Sequence, residues 1–387
     1  MKSSYKRIGD YIELVDERNK ELNVDLLLGL SISKQFIPSV ANTVGADMSN
    51  YKIIKKGQFA CSIMQVRRDG KMPIALLQDF DEAIISQAYP VFRVIDENKL
   101  LPEYLMMWFS RSEFDRQATF HAVGGVRGSL EWDDFLDFEL PIPSIEKQQK
   151  IVNEYNTITK RIALNEQLNQ KLEETAQTLY KHWFVDFEFP NEEGKPYKSS
   201  GGKMVYNEEL DKEIPEGWED AKLSELLEVK YGKDYKHLKS GDIPLYGSGG
   251  IMGYYDKALY EKPSILIPRK GSLDNILFVD EPFWSVDTMF YTIINNESYT
   301  NYLFHFLKKI DYYSLNVGLA VPSMTTKVLN DITILLPSSN TLGNFEALTS
   351  KMLRIVKQND RQQFSLIELA STILSKMSKE ETKTVVV

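Results

Sequence analysis

Cations gather at two places in a chain that is otherwise acidic. Between Lys52 and Lys71, six of them (Lys52, Lys55, Lys56, Arg67, Arg68, Lys71) face one acid, Asp69, for a local charge of +5. From Lys230 to Lys239 four lysines face Asp234 alone, for +3. Groups of this kind neutralise phosphates, and Arg, Asn or Gln on a fixed loop reads base edges. The candidate nucleic-acid contacts are Lys55, Lys56, Arg67, Arg68 and Lys71 around "RRDGK", with Arg127 in "GGVRGS". Their counterparts in the second half are Lys233, Tyr235 and Lys236, Ser248 beside a glycine run, and Arg269 and Lys270 in "IPRKGS". The competing reading is solvated charged loops and weak surface ion pairs. A net charge of -9 argues against a polyanion partner for the chain as a whole, but says nothing of local distribution.

Other chemistries find little support. One Cys, Cys61, and four scattered His cannot assemble zinc-ligand spacing or a disulfide. Cys61 sits in a strand candidate and reads as a small buried hydrophobe. No Gly-Lys pair is followed by Ser or Thr, so a Walker A loop is missing. No Pro-Pro dipeptide occurs, which removes the Asn/Asp-Pro-Pro-aromatic loop of amino-methyltransferases. "YGSGGIMGYY" (246–255) lacks dinucleotide-binding spacing and reads as a flexible loop between strands. No apolar run is long enough to span a membrane, and the N-terminus lacks a signal-peptide core; both fit a cytoplasmic protein. The pattern is that of a binder rather than a catalyst.

The elements that position these loops come in two copies. At an offset of 194, residues 120–183 align without a gap on 314–377, with eleven identities. They include Gly124/Gly318, Ser129/Ser323, Asp137/Asp331, Pro143/Pro337, Ser144/Ser338 and Asn165/Asn359. Each half opens on a similar pattern, "YKRIGDYIEL" and "AKLSELLEVK", with apolar i, i+3/i+4 spacing. Each then offers a strand, "SQAYPVFRV" or "SVDTMFYTI", followed by an aromatic helix. Trp108 and Trp284 read as core residues, and His121, His182 and His305 as packing residues of aromatic helices.

Both copies end in a heptad seam. The first runs Ile151, Tyr155, Ile158, Ile162, Asn165, Asn169, Leu172, Ala176, Leu179, Trp183. The second runs Phe345, Thr349, Met352, Val356, Asn359, Gln363, Leu366, Ala370, Ile373, Met377. Pro141 and Pro143 stop the preceding strand and mark where the helix starts. Asn165 and Asn359, central in otherwise apolar seams, are register devices expected to meet whether the helices pair parallel or antiparallel. A pseudo-two-fold repeat favours the antiparallel pairing. About 38 residues at 1.5 Å give a rod of roughly 55 Å, an upper bound of ~16 base pairs. Trp183, Phe184, Phe187 and Phe189 are expected to cover the rod's end against a recognition domain.

The order of variable domain, "LPIPSIEKQQKIV", a helix bearing Asn165, "LYKHWFVDFEFP", linker and second variable domain resembles the specificity subunit of Type I restriction–modification systems, over essentially the full chain. The second copy departs from it, ending "STILSKMSKE" without the aromatic cluster. The resemblance implies an α+β fold: two similar α/β target-recognition domains joined by two long helices in an antiparallel coiled coil, with a pseudo-two-fold repeat. The expected boundaries are 1–144 and 218–338 for the recognition domains and 145–190 and 339–380 for the helical regions. A surface linker takes 191–217 and a tail 381–387.

It further implies a non-catalytic subunit that reads a bipartite site in double-stranded DNA. Methyltransferase subunits (two) and restriction/translocase subunits would be its partners. S-adenosylmethionine, ATP and Mg would sit on those partners, with no cofactor on this chain. The alternative of another class is a coiled-coil scaffold carrying two heads that bind something other than DNA.

Overall fold

The structure is a computed structural model that describes residues 5–39, 47–64, 66–123, 128–315 and 323–378. The chain divides into two compact units: Met1–Asn165 with Arg361–Val387, and Glu166–Asp360.

The two units are built alike. In the first, Tyr5–Arg7 pairs antiparallel with Glu139–Pro141; in the second, Glu219–Lys222 pairs antiparallel with Thr333–Leu336. Each chain then makes one helical turn, Ile8–Asp10 or Leu223–Leu226, and enters a strand, Ile12–Val15 or Leu227–Tyr231. The i, i+3/i+4 spacing at the head of each half therefore belongs to a single turn between strands. The flanking segments stay extended because distant strands take up their backbone hydrogen bonds.

The central sheets repeat the same antiparallel order. In the first unit it is Ile12–Val15, Val91–Val94, Phe59–Cys61, Ile74–Leu76. In the second it is Leu227–Tyr231, Met289–Ile294, Ser264–Pro268, Leu277–Val279. The aromatic helices follow as expected, at Pro102–Phe109 and Thr300–Leu307. Trp108 and Trp284 are buried, at 5% and 7% exposure. What differs is the insertion. The first unit adds the pairs Leu28–Leu30 with Phe36–Pro38 and Lys52–Lys55 with Glu82–Ile85. The second adds a sheet ordered Gly250–Tyr255, Ser240–Gly247, Trp284–Ser285. "YGSGGIMGYY" is thus mostly hairpin strand, turning at Ser248–Gly249, rather than a loop. Gly250 supplies the positive φ of +107° at that turn.

The long helices are Ile145–Phe184 and Ser339–Lys376. Ser338 caps the second, its Oγ accepting from the Thr341 N–H at 3.2 Å. None of the twenty seam residues is exposed. In the first unit Ile151 and Ile158 line a groove with Leu369, Ile373 and Met377. In the second, Trp183 and Phe184 meet Phe345 at 5.8 and 4.9 Å between ring centroids. Within each unit, residue numbers fall along one helix as they rise along the other.

The seam asparagines find partners other than each other. Asn165 Nδ2 donates to Gln362 Oε1 at 3.1 Å in the first unit. In the second, Asn359 Nδ2 donates to Asn169 Oδ1 at 2.8 Å, and Asn169 Nδ2 to Asp360 Oδ1 at 2.8 Å. The register explains this: residue 165 stands level with 362 and residue 359 with 169, so within each unit the seam asparagine meets a different polar residue.

The stretch read as a surface linker is folded. Met204–Asn207 and Lys212–Pro215 form a hairpin, and Ile214 is 1% exposed. Phe189 stacks between Tyr197 and Trp218, with centroids at 4.6 and 4.7 Å. Met204, Val205, Leu210 and Ile214 turn inward while Tyr206 stays exposed, and a mostly polar composition hides those inward contacts. Trp183, Phe184 and Phe187 are buried in the same core, that of the second unit.

Candidate nucleic-acid interface

In the first unit the basic residues divide. Arg67 and Arg68 sit on the short helix Val66–Asp69, with Lys71 exposed just beyond. The Arg67 N–H donates to the Gly128 carbonyl at 3.3 Å. A Cβ on Gly128 would fall 2.5 Å from that of Arg67, and its φ is +47°, so only glycine lets the two loops approach. The "RRDGK" turn and the last part of "GGVRGS" are thereby joined; Arg127 itself lies outside the described residues. Arg68 Nε donates to Asp69 Oδ1 at 2.7 Å, and that hydrogen bond holds its guanidinium above the usual range.

Lys55 belongs to a different neighbourhood. It ends the strand Lys52–Lys55, and its Nζ lies 2.8 Å from both carboxylate oxygens of Glu17. That bond raises its pKa and occupies it. Lys56 is exposed in the adjoining turn. Sequence reasoning missed Lys34, whose Nζ lies 2.8 Å from Asp115 Oδ1, the pair being 8% and 13% exposed. The ammonium also donates to the Phe109 carbonyl. Burial lowers its pKa, against the pull of Asp115. Nothing local marks it, since the partners are far apart in sequence.

In the second unit the candidates flank the added sheet. The Lys233 N–H donates to Ser285 O at 2.8 Å, and its carbonyl accepts from Trp284 Nε1 at 3.0 Å. A Cβ on Gly232 would lie 2.1 Å from Val286 O, so glycine is required for this approach. The Tyr235 ring packs on Tyr255 at 5.7 Å, while Lys236 is exposed. Ser248 forms the hairpin turn and accepts at its carbonyl from Asn275 Nδ2 at 2.8 Å. Arg269 and Lys270 follow the buried strand Ser264–Pro268, the guanidinium lying 5.5 Å from the Tyr231 ring centre. Tyr231, under the Arg269 guanidinium, and Ile251, Met252 and Tyr254 on the hairpin strand Gly250–Tyr255 are each about half exposed, residues the sequence reading did not single out.

The histidines divide as well. His305 is buried among Tyr180, Phe304 and Phe345, as a packing residue should be. His121 is exposed but packs its ring on Phe120 and Phe138, with centroids at 5.4 and 5.3 Å, whereas His182 faces solvent. Cys61 is fully buried, and burial pushes its thiol far up, so it is inert as a nucleophile. Among the described residues no His/Cys/Asp/Glu group could hold a metal ion, and no helix is long and apolar enough to cross a membrane.

Two similar α+β heads, each a rigid sheet bearing basic loops, define a duplicated binding protein. A family model described as the Type I restriction modification DNA specificity domain matches residues 34–174 and again 215–371, and the chain belongs to that family. It is 28% identical over 313 residues to the Type I restriction enzyme MjaIX specificity subunit of Methanocaldococcus jannaschii, covering 73% of this chain and 70% of that one. To the Type I restriction enzyme HindI specificity subunit of Haemophilus influenzae it is 32% identical over 139 residues, 35% of this chain and 30% of that one. The crystal structure of the Type-I restriction-modification system S subunit from M. genitalium shares the fold, with a TM-score of 0.63 at 17% identity over 96% of this chain and 95% of that one.

Proposed function

We propose that the chain is the non-catalytic DNA-recognition subunit of a Type I restriction–modification complex. Each unit reads one half of a bipartite duplex target, and the two long helices, paired as an antiparallel coiled coil, set the unread spacer. The observation that carries this reading is the double match of the specificity-domain family, one copy per half. It is supported by helices of 40 and 38 residues, each contributing to both units, with seams shielded throughout. Domain boundaries near 144, 190, 338 and 380 follow from the same reading, with 191–217 folded onto the second recognition domain.

Two methyltransferase subunits and the restriction/translocase subunits assemble on this chain. They bring S-adenosylmethionine, ATP and Mg, which this chain does not bind itself. Helix residues left open in the first unit suit such docking: Leu164, Phe364, Ile367 and Leu369 are 58%, 65%, 51% and 48% exposed. Cationic methyltransferases would offset the acidic total, so the isolated chain binds DNA weakly and the complex tightly, in the cytoplasm.

Methylome sequencing of a host with and without this gene tests the reading. A divided adenine-methylation motif that disappears with the gene is expected. An unchanged methylome beside an intact methyltransferase gene would refute it.

A further inference from the structure

Arg269 is held at both backbone and side chain without being neutralised. Its backbone is pinned on two sides: the N–H donates to Thr288 O at 2.8 Å, and the carbonyl accepts from the Met324 N–H at 2.9 Å. Its guanidinium lies over Tyr231, whose ring is in turn fixed edge-on against Phe290 at 5.1 Å. Nε is buried with no hydrogen-bond partner. No described acid pairs with it, whereas Lys55 is taken by Glu17 and Arg68 by Asp69.

The neighbours suit an approaching duplex. Lys270 is exposed next to it, and Gly271, at φ +88°, leaves only Ser248 Oγ within 4 Å of where a Cβ would stand, at 3.8 Å. Asn275 ties the Ser248 turn to the same place. With Nε shielded, the guanidinium offers its two terminal nitrogens as a fork of fixed orientation. A phosphate needs only charge, which Lys270 supplies. A fork with fixed direction matches the O6 and N7 acceptors of guanine in the major groove.

We propose that Arg269 reads a guanine in the half-site bound by the second unit, with Lys270 on a neighbouring phosphate. The inference rests on the DNA-recognition reading and names the residue and base that carry part of it.

The test uses the full chain in complex with Type I methyltransferase subunits and a randomised duplex library, the retained duplexes being sequenced. Wild type should enrich a bipartite motif with a guanine in one half. Arg269→Ala should relax that base pair alone, losing roughly 5- to 150-fold discrimination there, and Arg269→Lys should not restore it. Uniform weakening with every position still specified would make Arg269 a phosphate contact and overturn the inference, leaving the recognition reading intact. No motif with wild type would overturn both.

A second arm needs no variant and so survives misfolding. Replacing each motif guanine by 7-deazaguanine removes N7, and wild-type binding should fall at one such position. Insensitivity at every guanine would overturn the assignment.

Discussion

Asn359 donates from Nδ2 to Oδ1 of Asn169 at 2.8 Å, and Asn359 is only 7% exposed. Asn169→Ala therefore leaves a shielded amide without its acceptor. A loss of about 1–3 kcal/mol is expected in urea unfolding. Replacing both by Leu should recover most of it. A single variant as stable as wild type would mean that water fully replaces the bond.

Lys34 and Asp115 form a pair of a different kind. Asp115→Ala strands a buried ammonium and should cost about 3–5 kcal/mol, whereas Lys34→Met with Asp115→Leu should come back close to wild type. Thermal unfolding of both variants distinguishes a needed ion pair from a merely tolerated one.

His305 makes the second unit acid-sensitive. Burial, reinforced by Lys308 and Lys309, pushes its pKa down to about 4. Both ring nitrogens are buried without partners, so the folded state holds a neutral ring. The unfolded chain takes up a proton below about pH 6.5, so the stability from this residue is complete above that pH. It is lost as pH falls toward 4, by about 3 kcal/mol in all. His305→Phe should flatten that part of the stability–pH curve, measured by urea unfolding between pH 7.5 and 4.5. An unchanged slope would place the acid sensitivity elsewhere.

Arg67 and Lys71 are exposed cations at the junction of two loops, and no described acid pairs with either. Replacing both with Ala should make the salt dependence of DNA binding by the assembled complex shallower by about 2 in log–log slope. Sequence preference should change little. A slope identical to wild type would remove them from the interface.

Much of the framework could be read from residue order. The 194-residue repeat anticipated two sheets of one topology, and the heptad seams anticipated which helix residues are shielded, because periodicity records burial directly. Pairing was less legible. Whether Lys55 is free depends on Glu17, 38 residues away, and whether Asn165 meets Asn359 or Gln362 depends on helix phase. The 204–215 hairpin escaped because few of its residues are apolar, and Met204, Val205, Leu210 and Ile214 pack into a core assembled from segments remote in sequence.

The first unit closes over Met377, which lies with Val152 in its core, and Arg111 Nη2 reaches Ser378 Oγ at 3.1 Å. Glu166–Asp360, by contrast, is one uninterrupted stretch. Translation therefore inverts the order of the halves. The head encoded second comes from one continuous stretch, and the head encoded first must wait with part of its interior uncovered until Met377 has been made. A nascent chain stalled before Met377 should present that unfinished interior to chaperones.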